Sequence, residues 1–198
     1  DSAADGGGLL NKVEENIGLN FDFKLNTPTL TEQVLKKYKV VFKPDVERST
    51  AIRVGRAKIK LDESANTYSK IQLNGSKNIG LLADGSDAKL VYNNTRNALT
   101  LDGTGEGNIM FVALNGGETT VKENFEVKDS GGVAALTGDK FVFAYAKGSG
   151  SKVAFEKGIK FNNTGEKTVG IYATDSGKVE ITNPTPVTLP SIPNKNTI

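Results

Sequence analysis

Three aspartates, Asp84, Asp87 and Asp175, fall in polar turns that each follow an apolar segment. Carboxylates recurring at such turns are the raw material of a calcium site or a glycosidase pair. Either chemistry needs two or three of them within about 5–9 Å. The related turns between them carry Asn115, Gly116, Lys147 and Gly148, which interrupt an acidic column. The aspartates therefore read as solvated turn formers that bond nearby backbone N–H groups. Lys147-Gly-Ser-Gly-Ser-Lys152 has the composition of a phosphate loop without its spacing, and a strand-like segment rather than a helix follows it. Gly103-Thr-Gly-Glu-Gly107 fails the dinucleotide fingerprint on the same ground. Asn93-Asn-Thr95 and Asn162-Asn-Thr164 are glycosylation sequons, but they suit corners better, since asparagine tolerates left-handed backbone angles. Asn93 and Asn183 close two similar repeats and predict a short asparagine ladder.

The residue types present limit the chemistry further. The 198-residue chain has no histidine, cysteine or tryptophan, and its single methionine is Met110. The usual zinc sites, thiol nucleophiles and Ser-His triads are thereby excluded, and no catalytic residue, metal site or cofactor is assigned. Twenty-five Lys and Arg against 23 Asp and Glu leave a formal charge of +2, which gives no electrostatic case for nucleic acid. No apolar run reaches the roughly 18–20 residues that span a bilayer, so no membrane insertion is expected of this segment. A cysteine-free chain suits passage through an oxidising periplasm, where a disulfide would staple it early.

These residues must be positioned by elements legible in the pattern. Residues 1–8, rich in glycine, read as a linker or expression remnant, and the chain as an excised or processed fragment. Residues 9–46 read as an N-terminal cap or partial coil. Within them Ile17 to Leu25 alternates as a strand does. Thr31–Tyr38 predicts a short helix with Thr29 or Thr31 as N-cap, Leu30, Val34 and Tyr38 on one face, and Pro28 and Pro44 as bounds.

From about residue 50 the sequence repeats. Ile79-Gly-Leu-Leu-Ala83 and Val169-Gly-Ile-Tyr-Ala173 are each followed by a polar turn and a short strand beginning at lysine. Ile109-Met-Phe-Val-Ala113 and Val142-Phe-Ala-Tyr-Ala146 are degenerate copies. The alanines Ala83, Ala113, Ala146 and Ala173 lie 30, 33 and 27 residues apart. A third strand fills each period, at 70–73, 98–101, 125–127 and 159–161. A unit of this length cannot bury its own apolar face and must stack on its neighbours. The expected fold is all-β: a right-handed parallel β-helix of three short strands per coil and about four to five coils over residues 47–183. An N-terminal capping segment with one short helix precedes it. Residues 184–198, with Pro184, Pro186, Pro190 and Pro193, are expected to leave the ladder as an extended tail.

Val169-Gly-Ile-Tyr-Ala173 … Lys178-Val-Glu-Ile-Thr-Asn183, with Ile79-Gly-Leu-Leu-Ala83, resembles the passenger repeats of type V autotransporters. It is most similar to the large fusobacterial autotransporter adhesins, whose repeats are rich in GIYA and NTG phrases. Asn163-Thr-Gly165 carries the likeness most clearly. The resemblance covers about residues 66–183 and leaves the N-terminal quarter unmatched. It implies export through an outer-membrane barrel, a cell-surface or extracellular location, and adhesion to host-cell or bacterial surface proteins or glycans. The chain itself is expected to be monomeric and not an enzyme. The alternative is a carbohydrate-active β-helix enzyme, a polysaccharide lyase or hydrolase, for which Arg48, Arg53 and Arg56 are the one arginine-rich stretch.

If the four alanines point inward, alternation places Ile79 and Leu81, Ile109 and Phe111, Val142 and Ala144, and Val169 and Ile171 inside as well. Leu82, Val112, Tyr145 and Tyr172 then form an outward column, with Met110 and Phe143 beside it. Such an apolar stripe is rarely left in water. Two covers are open: the N-terminal segment lying across it, or a protein, glycan or neighbouring-subunit partner. The candidate binding residues are Leu82, Val112, Phe143, Tyr145 and Tyr172.

Overall fold

The computed structural model describes residues 13–22, 31–63, 69–94, 99–101, 105–126, 138–160 and 166–182. The first rung holds β1 (Val13–Glu14), β2 (Ile17–Phe21), β3 (Glu32–Leu35) and β4 (Lys39–Phe42). The second holds β5 (Val46–Glu47), β6 (Thr50–Val54), β7 (Lys58–Glu63) and β8 (Lys70–Leu73). Above them come β9 (Ile79–Asp84), β10 (Lys89–Asn94) and β11 (Leu99–Leu101), then β12 (Ile109–Leu114), β13 (Glu118–Val121) and β14 (Phe125–Glu126). The last two rungs hold β15 (Val142–Lys147), β16 (Lys152–Phe155) and β17 (Ile159–Lys160), then β18 (Val169–Thr174) and β19 (Lys178–Ile181).

Every described pairing is parallel and joins a strand to its counterpart one rung away. One six-stranded sheet runs β2-β6-β9-β12-β15-β18, and a second runs β3-β7-β10-β13-β16-β19. The third side is divided between β4-β8-β11 and the pair β14-β17. The chain is thus a parallel β-solenoid whose six rungs rise about 24 Å at the usual strand spacing.

The interior follows from the columns. Val54, Ala83, Ala113 and Ala146 share one register and are fully buried, so the alanine column faces in. Opposite it, Leu61, Tyr92, Val121 and Phe155 stack from the second sheet. Small alanines leave room for an aromatic cluster in the upper rungs. Phe111 meets Tyr92, Phe125, Phe143 and Phe155 with ring centroids 5.0–6.0 Å apart.

Strict alternation fails at one point of the first sheet. Met110 and Phe111 are both fully buried, and so are Phe143 and Ala144. The ladder pairs the residues on either side of Met110 and Phe143 but skips those two positions. The regular ladder is interrupted there, and two consecutive side chains enter the core. Ile79, Ile109 and Val142, just before the interruption, are only half-buried rather than inside as expected.

The segment predicted as a helix, Thr31–Tyr38, is instead built around strand β3, whose Glu32–Leu35 pair with Lys58–Leu61. Val34 is 47% exposed and Tyr38 is buried in the core, so they do not share a face. An eight-residue helix is marginal alone, and the ladder offered by β7 outweighs its local propensity. Nor do these residues lie across the outward column, because β2, β3 and β4 form the first rung of the stack.

The corner before the first sheet repeats a device of its own. Glu15, Arg48, Lys77, Gly107, Lys140 and Lys167 all take positive φ, between 49° and 66°, two residues before each strand of that sheet. Behind them runs a buried ladder. Asn16 N–H donates to Ser49 Oγ at 3.0 Å, Ser49 N–H to Asn78 Oδ1 at 3.0 Å, and Asn78 N–H to Asn108 Oδ1 at 2.9 Å. The Nδ2 groups of Asn78 and Asn108 donate to Val46 O and Gly75 O, each at 2.9 Å. Gly105 completes the corner, since a Cβ there would sit 2.2 Å from Gly75 O. This is an asparagine ladder, but a different one from that expected. Lys89 is level with Lys178 through the intervening strands, so Asn93 is level with Thr182, and Asn183 lies outside the described residues. Asn93 Nδ2 donates instead to Asp62 Oδ1 at 3.0 Å.

Candidate functional site

The first sheet presents one outward column along its whole height: Asn20, Arg53, Leu82, Val112, Tyr145 and Tyr172. Four of the five candidate binding residues therefore stack as the repeat implied. Phe143 does not. It enters the core where the ladder is interrupted and packs on Phe111, Phe125 and Phe155, as Met110 also leaves the outer face for the interior.

The column changes character along the axis. At the lower end Arg53 Nη2 donates to Asp84 Oδ2 at 2.8 Å and Nη1 to Asn20 Oδ1 at 3.3 Å. Arg56 Nε donates to Asp22 Oδ1 at 2.9 Å, and this bond above all holds the Asp22 carboxyl below its ordinary pKa. In the middle, Leu82 and Val112 are 7% and 1% exposed, yet both stand outside the main core cluster. They are covered rather than exposed. At the upper end Tyr145 is half-buried and Tyr172 is 51% exposed. Their rings stack at 5.6 Å with planes 9° apart. Parallel in-register pairing produces that geometry directly, because Tyr145 and Tyr172 are Cα partners one rung apart.

Polar groups border the tyrosine pair. Lys147 and Thr174 are level on adjacent rungs, and Lys147 Nζ lies 3.7 Å from Asp175 Oδ2. An aromatic platform with an ammonium, a hydroxyl and a carboxylate at its margin can stack on the apolar face of a sugar or side chain while bonding its polar edge. Sequence reading found the tyrosines but missed their polar margin. The signal for it lay in the turn position shared by successive repeats.

The carboxylates weighed as a catalytic or calcium site are dispersed. Asp84 is level with Leu114, Lys147 and Thr174, which places it about 14 Å along the axis from the Asp175 turn. Its oxygens accept from Arg53 and from Asn115 Nδ2 at 2.8 Å. Asp87 is exposed in its turn. Lys147–Lys152 is a turn tied by Ser151, whose Oγ accepts Gly116 N–H at 2.9 Å and donates to Lys147 O at 2.6 Å. Among the described residues no group of three acidic side chains could hold a metal. Asn163-Thr-Gly165, the second sequon and the C-terminal tail lie outside the described residues. No family model matches the chain, and no curated protein or solved structure matches it either.

Proposed function

We propose that this chain is a spacer and binding module of a bacterial surface adhesin, of the autotransporter-passenger kind that its repeats resemble. The solenoid displays the Tyr145–Tyr172 platform to a glycan or protein on a host or partner-bacterium surface. That stacked pair carries the reading. An aromatic ring half in water at the end of an otherwise covered apolar column is a contact surface by its energetics, since large exposed apolar groups gain most from a partner. The right-handed sense of the solenoid rests on the crossover rule for parallel strands. Display outside the cell, after export through the outer membrane, rests on the resemblance and suits a cysteine-free chain. Two of the three arginines that a lyase groove would require, Arg53 and Arg56, are engaged with Asp84 and Asp22, which favours binding over polysaccharide cleavage.

The test pairs Tyr172→Ser with Tyr172→Phe in binding assays on a glycan array and on whole cells, each variant's melting temperature being recorded. Serine is expected to weaken binding about tenfold or more, the equivalent of about 1.4 kcal/mol, with stability unchanged. Phenylalanine should retain binding because the stacking face survives. Full binding by the serine variant overturns the reading, as does release of unsaturated ends from uronate polymers by the wild-type chain.

A further inference from the structure

We infer that two copies of this chain pair side by side and in parallel, through the outer face of the second sheet. The sequence alone favours a monomer; the charge pattern of this face argues otherwise. The interior strands β7, β10, β13 and β16 carry it, and each has a neighbouring strand on both sides. Their residues Ile59, Leu90, Thr119 and Val153 are level with one another and enter the core, so the residues on either side of these point outward.

The outward residues form three columns. One reads Lys58, Lys89, Glu118, Lys152, and the central one Lys60, Val91, Thr120, Ala154. The third reads Asp62, Asn93, Lys122, Glu156, the last two standing one residue past β13 and β16. The outer columns lie about 13 Å apart along the strands. Wherever both carry charge, the two signs on a rung are opposite: Lys58 with Asp62, Glu118 with Lys122, Lys152 with Glu156. Within the chain the ions of these two columns pair between rungs, not across them. Lys89 bonds to Glu118 on the next rung, and Lys122 to Glu156 at 3.0 Å. Lys58 has no ion-pair partner among the described residues.

A two-fold axis over the central column, parallel to the solenoid axis, lays each outer column against the opposite column of a second copy, rung for rung. Lys58 then faces Asp62, Glu118 faces Lys122 and Lys152 faces Glu156, each twice by symmetry. Lys89 faces the neutral Asn93. The central residues meet their own copies. Val91, Thr120 and Ala154 are short enough to let the sheets approach to the usual spacing of about 10 Å. Lys60 is drawn aside to Asp62 at 2.7 Å. An antiparallel pair about the middle of the same four rungs would instead set Lys58 on Lys152 and Asp62 on Glu156. Charge complementarity thus selects a second copy of this chain in one orientation. A face this small and this charged gives a weak, salt-sensitive dimer. The contact leaves the first sheet and its tyrosines outside the interface.

Sedimentation velocity on the full chain tests this against a 21.1 kDa monomer. At about 20 mM salt, wild type is expected to gain mass with concentration, and about 500 mM salt should abolish the gain. Lys122→Glu and Glu118→Lys should each weaken association about tenfold, because like charges then face each other. Melting temperature should change little, since exposed ion pairs contribute little to stability. Mixing the two variants restores opposite charges between copies and should restore association. Each variant also breaks a pair within its own chain, Lys122–Glu156 or Lys89–Glu118. Mixing cannot mend those, so recovery reads the contact between copies alone. Orientation is tested in the cysteine-free chain with Val91→Cys and Thr120→Cys. In the parallel dimer each thiol faces its own copy, and a short bis-maleimide should link both variants. An antiparallel pair brings at most one of the two residues onto its axis. Monomer at every concentration in low salt overturns the inference. So does association that ignores charge reversal, a mixture that fails to recover, or cross-linking at fewer than both positions.

Discussion

Replacing Asn78 with alanine removes the centre of the corner ladder, and the structure fixes what is lost. Asn78 is fully buried. Its Oδ1 accepts the Ser49 N–H at 3.0 Å and its Nδ2 donates to Val46 O at 2.9 Å. Alanine leaves one backbone donor and one backbone acceptor stranded at a corner that water does not reach. Each such group costs about 1–3 kcal/mol, so the loss is about 2–6 kcal/mol. The backbone N–H of residue 78 still donates to Asn108 Oδ1, which keeps the upper half of the ladder. For a chain of this length about 2–4 °C is lost per kcal/mol, giving a fall of about 4–24 °C. Thermal and urea unfolding followed by circular dichroism measure it, with Asn20→Ala as a control on an exposed residue. A stacked array need not unfold in one step, so hydrogen exchange should show the loss first in the rungs that hold Ser49 and Asn78. A change under about 0.5 kcal/mol would refute the ladder as a structural device.

Two further outcomes follow from the packing and the charges. Phe111→Ala empties the centre of the aromatic cluster, where four rings meet it; about 3–5 kcal/mol should be lost in urea unfolding, and a loss under 1 kcal/mol would show the cluster to be loosely packed. The Asp62 carboxyl is held below its ordinary pKa first by its hydrogen bond from Lys60, and Glu180 likewise by Lys152. A depressed carboxylate stabilises the fold above its unfolded pKa, and that contribution disappears as pH falls through the folded value. Lys60 and Lys152 are raised by the same bonds, so their contribution is complete below the unfolded lysine value and is lost as pH climbs through the folded one. A melting-temperature profile should therefore be flat from about pH 5 to 9 and fall below about pH 4 and above about pH 10. Asp62→Asn should shallow the acid limb, and an unchanged limb would contradict the assignment.

Much of the solenoid was legible because its signal is repetition. The alanine spacing located the first sheet, and the lysines Lys89, Lys152 and Lys178 that follow three of the turns located the second. The outward register of Leu82, Val112, Tyr145 and Tyr172 followed from fixing Ala83 and its counterparts inward. What failed were the steps that treated each strand as uniform. Phe143 was placed outside because alternation was assumed to hold through the interruption. The small residues Gly18, Ala51 and Gly80 at that position were the available sign of a constrained interior site. Strand β3 was hidden because Glu-Gln-Val-Leu-Lys-Lys carries helix propensity, and only its partner β7 makes it a strand. The true asparagine ladder escaped notice because Ser49 stands in for asparagine on one rung. The false one arose because the turn after β9 has one residue more than the turn after β18, so counting along the two repeats slips the register by one.

These local departures are where a solenoid has freedom to act. Identical backbone rungs give every column the same geometry, so chemistry enters only through which side chains interrupt it. Along the outer column the interruptions are ordered: an ion-paired arginine, two covered aliphatics, then two stacked tyrosines. The core beneath is ordered with them. Phe143 and Ala144 enter the interior from the same strand that carries Tyr145 outward, and Phe143 is locked against Phe111, Phe125 and Phe155. A ring held at the surface by a strand anchored in a packed aromatic cluster loses little freedom when a partner arrives, and preorganisation of that kind raises affinity without adding contacts. Tyr172 has no such anchor of its own, since Gly170 occupies the position of Phe143 on the last rung. It depends on stacking with Tyr145. The platform is therefore rigid at its lower ring and adjustable at its upper one.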